Sequence, residues 1–214
     1  MIRGLLTIFI LFVSLSLSGQ SSCESGFLPK VILSKKYNNH IKWIHSIESR
    51  TDVFSDSFKI QHHLIDLSSI LSVKTDLYQV FNIGYILRIR SNTVIHRTFQ
   101  HYNIINEFES SQLAHRFAFE QFFELHIPIY FRGRYRLHYQ KPLNGDRIDN
   151  REFYFKLGNE YLWDFRSNKL EIRLTPYFGY QVSQKDRIEF GLDYRTVKLN
   201  DNNLWFRTTW YISI

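Results

Sequence analysis

The sequence predicts an all-β protein, an antiparallel up-and-down transmembrane β-barrel of about ten strands, with a range of roughly 8–12. Three observations predict it. Segment after segment alternates apolar and polar residues with a period of two, the mark of a strand with two unlike faces. The apolar positions are crowded with aromatics, 19 Phe, 13 Tyr and 4 Trp in 214 residues. The alternating segments are also long, whereas ordinary globular strands run about 5–6 residues and tilted membrane strands about 9–11.

The chain opens with Met1-Ile2-Arg3 and an uncharged apolar run from Leu5 to Leu17, followed by Ser18 and Gly19. This is the layout of a secretory signal peptide, expected over 1–19 with cleavage after Gly19. The single cysteine, Cys23, offers a lipoprotein site as the alternative to ordinary cleavage. A lone cysteine allows no internal disulfide. Residues 20–40 read as a polar N-terminal segment, and its short apolar piece Val31-Ile32-Leu33 either adds to the barrel or lies in the periplasm. The barrel is expected over 41–214.

Within it, 41–53 carries Ile41, Trp43 and Ile47 on one face, and 60–73 alternates at Ile65, Leu67 and Leu71. Residues 77–90 set Phe81, Ile83, Tyr85, Leu87 and Ile89 against Asn82, Gly84, Arg88 and Arg90. A fourth strand spans 94–105. In 113–125, Phe117, Phe119, Phe123 and Leu125 oppose Arg116, Glu120 and Glu124. Pro128 breaks the pattern before 129–139, where Ile129, Phe131, Tyr135, Leu137 and Tyr139 oppose Tyr130, Arg132, Arg134, Arg136 and His138. The stretch 141–150, with Pro142 and Asn144-Gly145, is a loop. The remaining strands, 152–163, 169–180, 186–197 and 203–214, alternate most cleanly.

Alternation alone does not say which face points inward. The aromatic positions are too many and too bulky for a narrow interior, and they suit a lipid-facing surface. Gly84, Gly158, Gly179 and Gly191 fall on the charged face, where small residues make room for long side chains. The polar face is therefore expected inside. There Arg132, Arg134 and Arg136, with Arg116 nearby, should meet Glu120, Glu124, Glu152 and Glu160 from neighbouring strands. Such a network is expected to fill the lumen rather than leave an open channel.

Short motifs also resemble a known family. His96-Arg97-Thr98-Phe99-Gln100 and His115-Arg116 followed by Glu120-Gln121 match its paired signatures. Arg134-Tyr135-Arg136 through Pro142-Leu143-Asn144-Gly145, and Asn159-Glu160-Tyr161, match its later strands. On these residues the chain resembles domain-of-unknown-function family 2490 (DUF2490), over nearly the whole mature length. The resemblance implies an outer-membrane β-barrel of Bacteroidota and other Gram-negative bacteria. It implies no reaction.

Chemistry-bearing constellations are few. His62 and His63 are adjacent, so a strand sends them to opposite faces, and no other histidine has ligand spacing with cysteine or carboxylate. No metal or cofactor is expected. His96 and His115 are expected to form a polar cluster inside the barrel on adjoining strands. Ser110 and Ser111 lie near His115, but there is no Gly-x-Ser-x-Gly turn or ordered triad, and no catalytic residue is assigned. The formal charge of +7 falls to +6 without Arg3, and the basic residues alternate along strands instead of forming a nucleic-acid patch. The expected partners are outer-membrane lipids and the barrel-assembly machinery. The reading is a structural or accessory envelope barrel with a charge-filled lumen. The alternatives are a lipid- or lipopolysaccharide-modifying enzyme and a narrow small-solute channel.

Overall fold

A strand that alternates along its length can bury one face only by joining a sheet, and a closed sheet leaves no unpaired edge. The computed structural model, which describes residues 23–55, 57–197 and 201–214, closes such strands into one barrel. The first five are β1 (Cys23–Lys36), β2 (Ile41–Ser55), β3 (Ser57–Asp76), β4 (Gln79–Arg90) and β5 (Val94–Glu107). The next three are β6 (Gln112–Glu124), β7 (Ile127–Pro142) and β8 (Glu152–Asp164). The last three are β9 (Lys169–Gln181), β10 (Asp186–Val197) and β11 (Asp201–Ser213). The signal peptide expected over 1–19 lies outside the described residues.

Each strand pairs antiparallel with the next, but β1 closes on β11 in parallel, with Ser25 opposite Leu204 and Ser34 opposite Ser213. An up-and-down chain with an odd number of strands must close this way, because its first and last strands run in the same direction. The expected all-antiparallel order is corrected at this one seam. A further consequence is that β1 begins at one rim and β11 ends at the other. The first rim carries the β2–β3, β4–β5, β6–β7, β8–β9 and β10–β11 connections. The second carries the remaining connections and Ile214.

β1 occupies part of the segment expected to precede the barrel, and it takes in Val31-Ile32-Leu33. Its pattern was obscured because apolar residues stand on both faces. Phe27, Val31 and Leu33 point outward and are exposed, while Leu28 points inward and is fully buried. Pro29 adds a second disturbance. The β1–β2 ladder lapses between Phe27 and Lys30, as a residue without an N–H requires. Pro176 does the same in β9, where pairing with β10 lapses between Leu174 and Tyr177.

The two faces differ sharply. On β10 and β11 the outward Phe190 and Phe206 are 56% and 51% exposed, whereas the inward Glu189 and Asp193 are 1% and 0% exposed. The outer face is a continuous aromatic surface. Phe117 packs on Tyr135 at 5.1 Å, Tyr135 on Tyr161 at 6.3 Å, and Phe153 on Phe178 at 5.0 Å.

Inside, aromatic rings lie flat against the wall instead of crossing the lumen, and glycines make that possible. Phe99 lies over Gly84, Tyr154 over Gly179, and Tyr177 over Gly191, each directly opposite it in register. A Cβ at Gly179 would come within 2.1 Å of the Tyr154 ring, and one at Gly84 within 2.3 Å of the Phe99 ring. A glycine with a cross-strand aromatic above it fills the wall without occupying the centre.

Candidate functional site

The inward face of every strand carries charge, and the charges are organised around buried carboxylates. Glu120 on β6 meets Arg132 and Arg134 on β7 at 2.6 and 2.9 Å, and Arg97 on β5 at 3.9 Å. Glu160 on β8 meets Arg134 and Arg136 on β7 and Arg173 on β9. Glu48 on β2 meets Lys30 on β1 at 3.2 Å and Arg207 on β11 at 3.0 Å, reaching over the parallel seam. Each of these three glutamates therefore ties together three strands. A buried carboxylate with cations on both sides is compensated, whereas an isolated one would be prohibitive.

Four more acids join them, Glu171 with Arg173 at 2.5 Å among them. Asp66 takes a two-point bond from Arg88 at 2.8 and 2.7 Å. Asp193 takes one from Arg195 at 2.8 and 2.9 Å, and Arg207 approaches it at 3.4 Å. Glu189 accepts from Tyr154 at 2.7 Å, from Tyr211 at 3.0 Å, and from Lys156. The fork geometry of arginine fixes the orientation of these pairs as well as their charge.

These side chains line the lumen without filling it. A cavity of about 940 Å³ runs along it, from Arg90, Val197 and Asn203 near the first rim to Gln112, Gln181, Lys185 and Ser213 near the second. Sixteen lysines and arginines line the cavity against four carboxylates, Glu48, Asp66, Glu120 and Glu171. Glu160, Glu189 and Asp193 sit behind the lining and leave the cations in clear excess. The expectation of a filled lumen is corrected, and the physical reason is the glycine-backed aromatics. They thicken the wall and leave the middle open.

Of the residues expected in the network, Arg132, Arg134, Arg136, Glu120 and Glu160 come together. Arg116 lines the same cavity but pairs with no carboxylate among the described residues, and its Nε donates to Asn103 Oδ1 at 2.6 Å. Glu124 and Glu152 stand apart. Glu124 ends β6 at the first rim, opposite Ile127. Glu152 begins β8 at the second rim and accepts from the Asp149 backbone N–H at 3.1 Å. Arg136 lies opposite Glu160, so Glu152 is eight residues further along the strand, about 26 Å at 3.3 Å per residue.

His96 and His115 do not form an inward cluster. Both point outward, and they are bonded to tyrosines, His96 to Tyr85 at 2.5 Å and His115 to Tyr135 at 2.9 Å. The reason is parity. Each is followed by an arginine that takes the inward position, and successive side chains on a strand face opposite ways. They are also far apart, since His115 lies opposite Ile104, eight residues along β5 from His96. Among the described hydrogen bonds, His115 bonds to Tyr135 and to neither Ser110 nor Ser111.

Lys156, Arg173, Arg187, Glu189, Asp193 and Arg195 also enter the network, although the sequence analysis assigns none of them to it. Inward parity carried along β8 and on through β9 and β10 includes them. Lys30 and Arg207 needed the closure to be known. Among the described residues no group of three or more His, Cys, Asp and Glu is placed to hold a metal ion.

No curated protein and no solved structure matches the chain. A family model does match, over residues 26–205, from the start of β1 into β11. The barrel, its inward charges and this match concern the same stretch of chain, which belongs to the family described as protein of unknown function (DUF2490).

Proposed function

We propose that this chain is an exported outer-membrane β-barrel of a Gram-negative bacterium whose lumen admits small anions. The aromatic exterior suits the hydrocarbon and interfacial zones of a bilayer, with membrane lipids as its immediate surroundings. Assembly by the barrel-insertion machinery follows from that location. The observation that carries the reading is the lining of the cavity, sixteen cations against four carboxylates. A low-dielectric wall with one dominant sign of charge concentrates ions of the other sign, and rings of arginine and lysine select for anions in pores. The structural role first expected of the charges is kept by the carboxylates, which neutralise part of the lining and hold its arginines in place.

Planar-bilayer recording of the purified, refolded barrel under a potassium chloride gradient tests this. The reversal potential should move toward the chloride equilibrium value, with anions favoured over cations by about tenfold. Equal permeability, a cation preference or a silent bilayer would overturn it.

A further inference from the structure

Arg116 is an inward cation that no carboxylate answers among the described residues, its Nε donating to Asn103 instead. Its inward neighbours along β6 are Ala114 and Ala118, so it stands between two small residues. Directly opposite it on β7 is Arg136. Like charges facing each other across two strands repel, and Arg136 is answered by Glu160 on its far side. On the other flank, His101 of β5 lies opposite Ala118, with its ring stacked on Phe99 at 4.3 Å.

Polar atoms around this recess are buried without a hydrogen-bond partner among the described residues, His101 Nε2 and Arg134 Nε among them. Buried groups of this kind are costly, about 1–3 kcal/mol each, and native proteins rarely leave them so without a ligand, an ion or water. Arg116, Arg134, Arg136 and His101 all line the one cavity. They come from β5, β6 and β7.

We infer that the recess around Arg116 is a binding site for a tetrahedral oxyanion, inorganic phosphate or the phosphate of a small phosphomonoester. Donors converge from three strands and at different angles, which suits an acceptor with oxygens pointing in several directions. A planar carboxylate would meet one arginine fork and leave the others, and a halide cannot use the fork geometry at all. The doubled negative charge also offsets the repulsion between Arg116 and Arg136. The inference rests on the reading of the lumen as open to anions.

Isothermal titration of the detergent-folded full chain with inorganic phosphate, at ionic strength held constant with chloride, tests the site. Saturable binding is expected in the wild type, weakened about tenfold or more in Arg116→Gln and partly restored in Arg116→Lys. Phosphate binding unchanged in Arg116→Gln, or indistinguishable from chloride, would overturn the site. A silent bilayer together with phosphate binding that depends on Arg116 would remove the passage and leave the recess. Anion-selective current together with an unaltered titration would remove the recess alone. Short-chain phosphatidic acid micelles supply the lipid source of the same group. Because the recess is inside the barrel, free phosphate should bind without lipid, and binding seen only with the micelles would place the contact elsewhere.

Discussion

The wall formed by β6, β7 and β8 and the seam between β1 and β11 are held by the same device, yet only the wall shows it in the sequence. In the wall, Glu120 and Glu160 each sit between cations on both neighbouring strands. At the seam, Glu48 of β2 holds Lys30 on β1 and, one strand further, Arg207 on β11, which lie 177 positions apart in a chain folded into a ring. The difference teaches where closure comes from. Along the wall, charge follows strands that are already hairpin neighbours. At the seam, the ion pairs join the two ends of the sheet, which the ladder alone joins only through parallel hydrogen bonds.

The largest effect is expected in the wall. Glu120 is 2% exposed, and its removal leaves Arg97, Arg132 and Arg134 to repel one another, with only Arg134 of the three in an ion pair with Glu160. Glu120→Gln keeps the shape and removes the charge. It should destabilise the detergent-folded barrel by about 3–5 kcal/mol, the range for breaking a buried ion pair from one side. Urea titration read by the heat-modifiable band shift on gels checks this, and an unchanged midpoint would mean that the arginines are solvated independently of Glu120.

That network was legible because β7 alternates without interruption and because arginines in a row on one face demand acids beside them. The same logic identified ten strands and the polar interior. It leaves β1 undecided, because Leu28 inside and Phe27, Val31 and Leu33 outside blur the period and Pro29 interrupts it. It also set His96 and His115 inside although the following arginines already held the inward positions. The acids of the network needed more than face. Glu124 and Glu152 share the inward face with Glu120 and Glu160 but sit at the rims, and height along the barrel depends on register that a single strand does not reveal.

The seam should respond less strongly to the equivalent change. Lys30 is 28% exposed at its side chain and Glu48 10%, against 3% for Glu120, so water screens part of what Glu48 supplies. Glu48→Gln is expected to cost about 2 kcal/mol, less than Glu120→Gln. Its particular consequence is local, and a cross-link reads it. Ser34 and Ser213 are register partners, with hydroxyl oxygens 3.1 Å apart. In a Cys23→Ser background, Ser34→Cys with Ser213→Cys should oxidise to a disulfide in the folded barrel. Adding Glu48→Gln should slow that oxidation, whereas Glu120→Gln should not. Failure of the pair to cross-link in the folded protein would count against the parallel closure itself.

The smallest effect belongs to Arg116, and it separates the two kinds of arginine in the wall. Arg132, Arg134 and Arg136 are bound to carboxylates, so each contributes to the cohesion of the barrel. Arg116 donates to Asn103 and faces Arg136 across the ladder. Its charge therefore adds repulsion without a compensating ion pair. In phosphate-free buffer, Arg116→Gln should change the unfolding free energy from urea titration by no more than about 1 kcal/mol, because relief of the repulsion offsets the lost bond to Asn103. A loss as large as that of Glu120→Gln would show that Arg116 is as much a part of the scaffold as its neighbours. A neutral or stabilising result would mean that the charge of Arg116 adds nothing to the cohesion of the folded state, which is the behaviour of a group that serves a ligand.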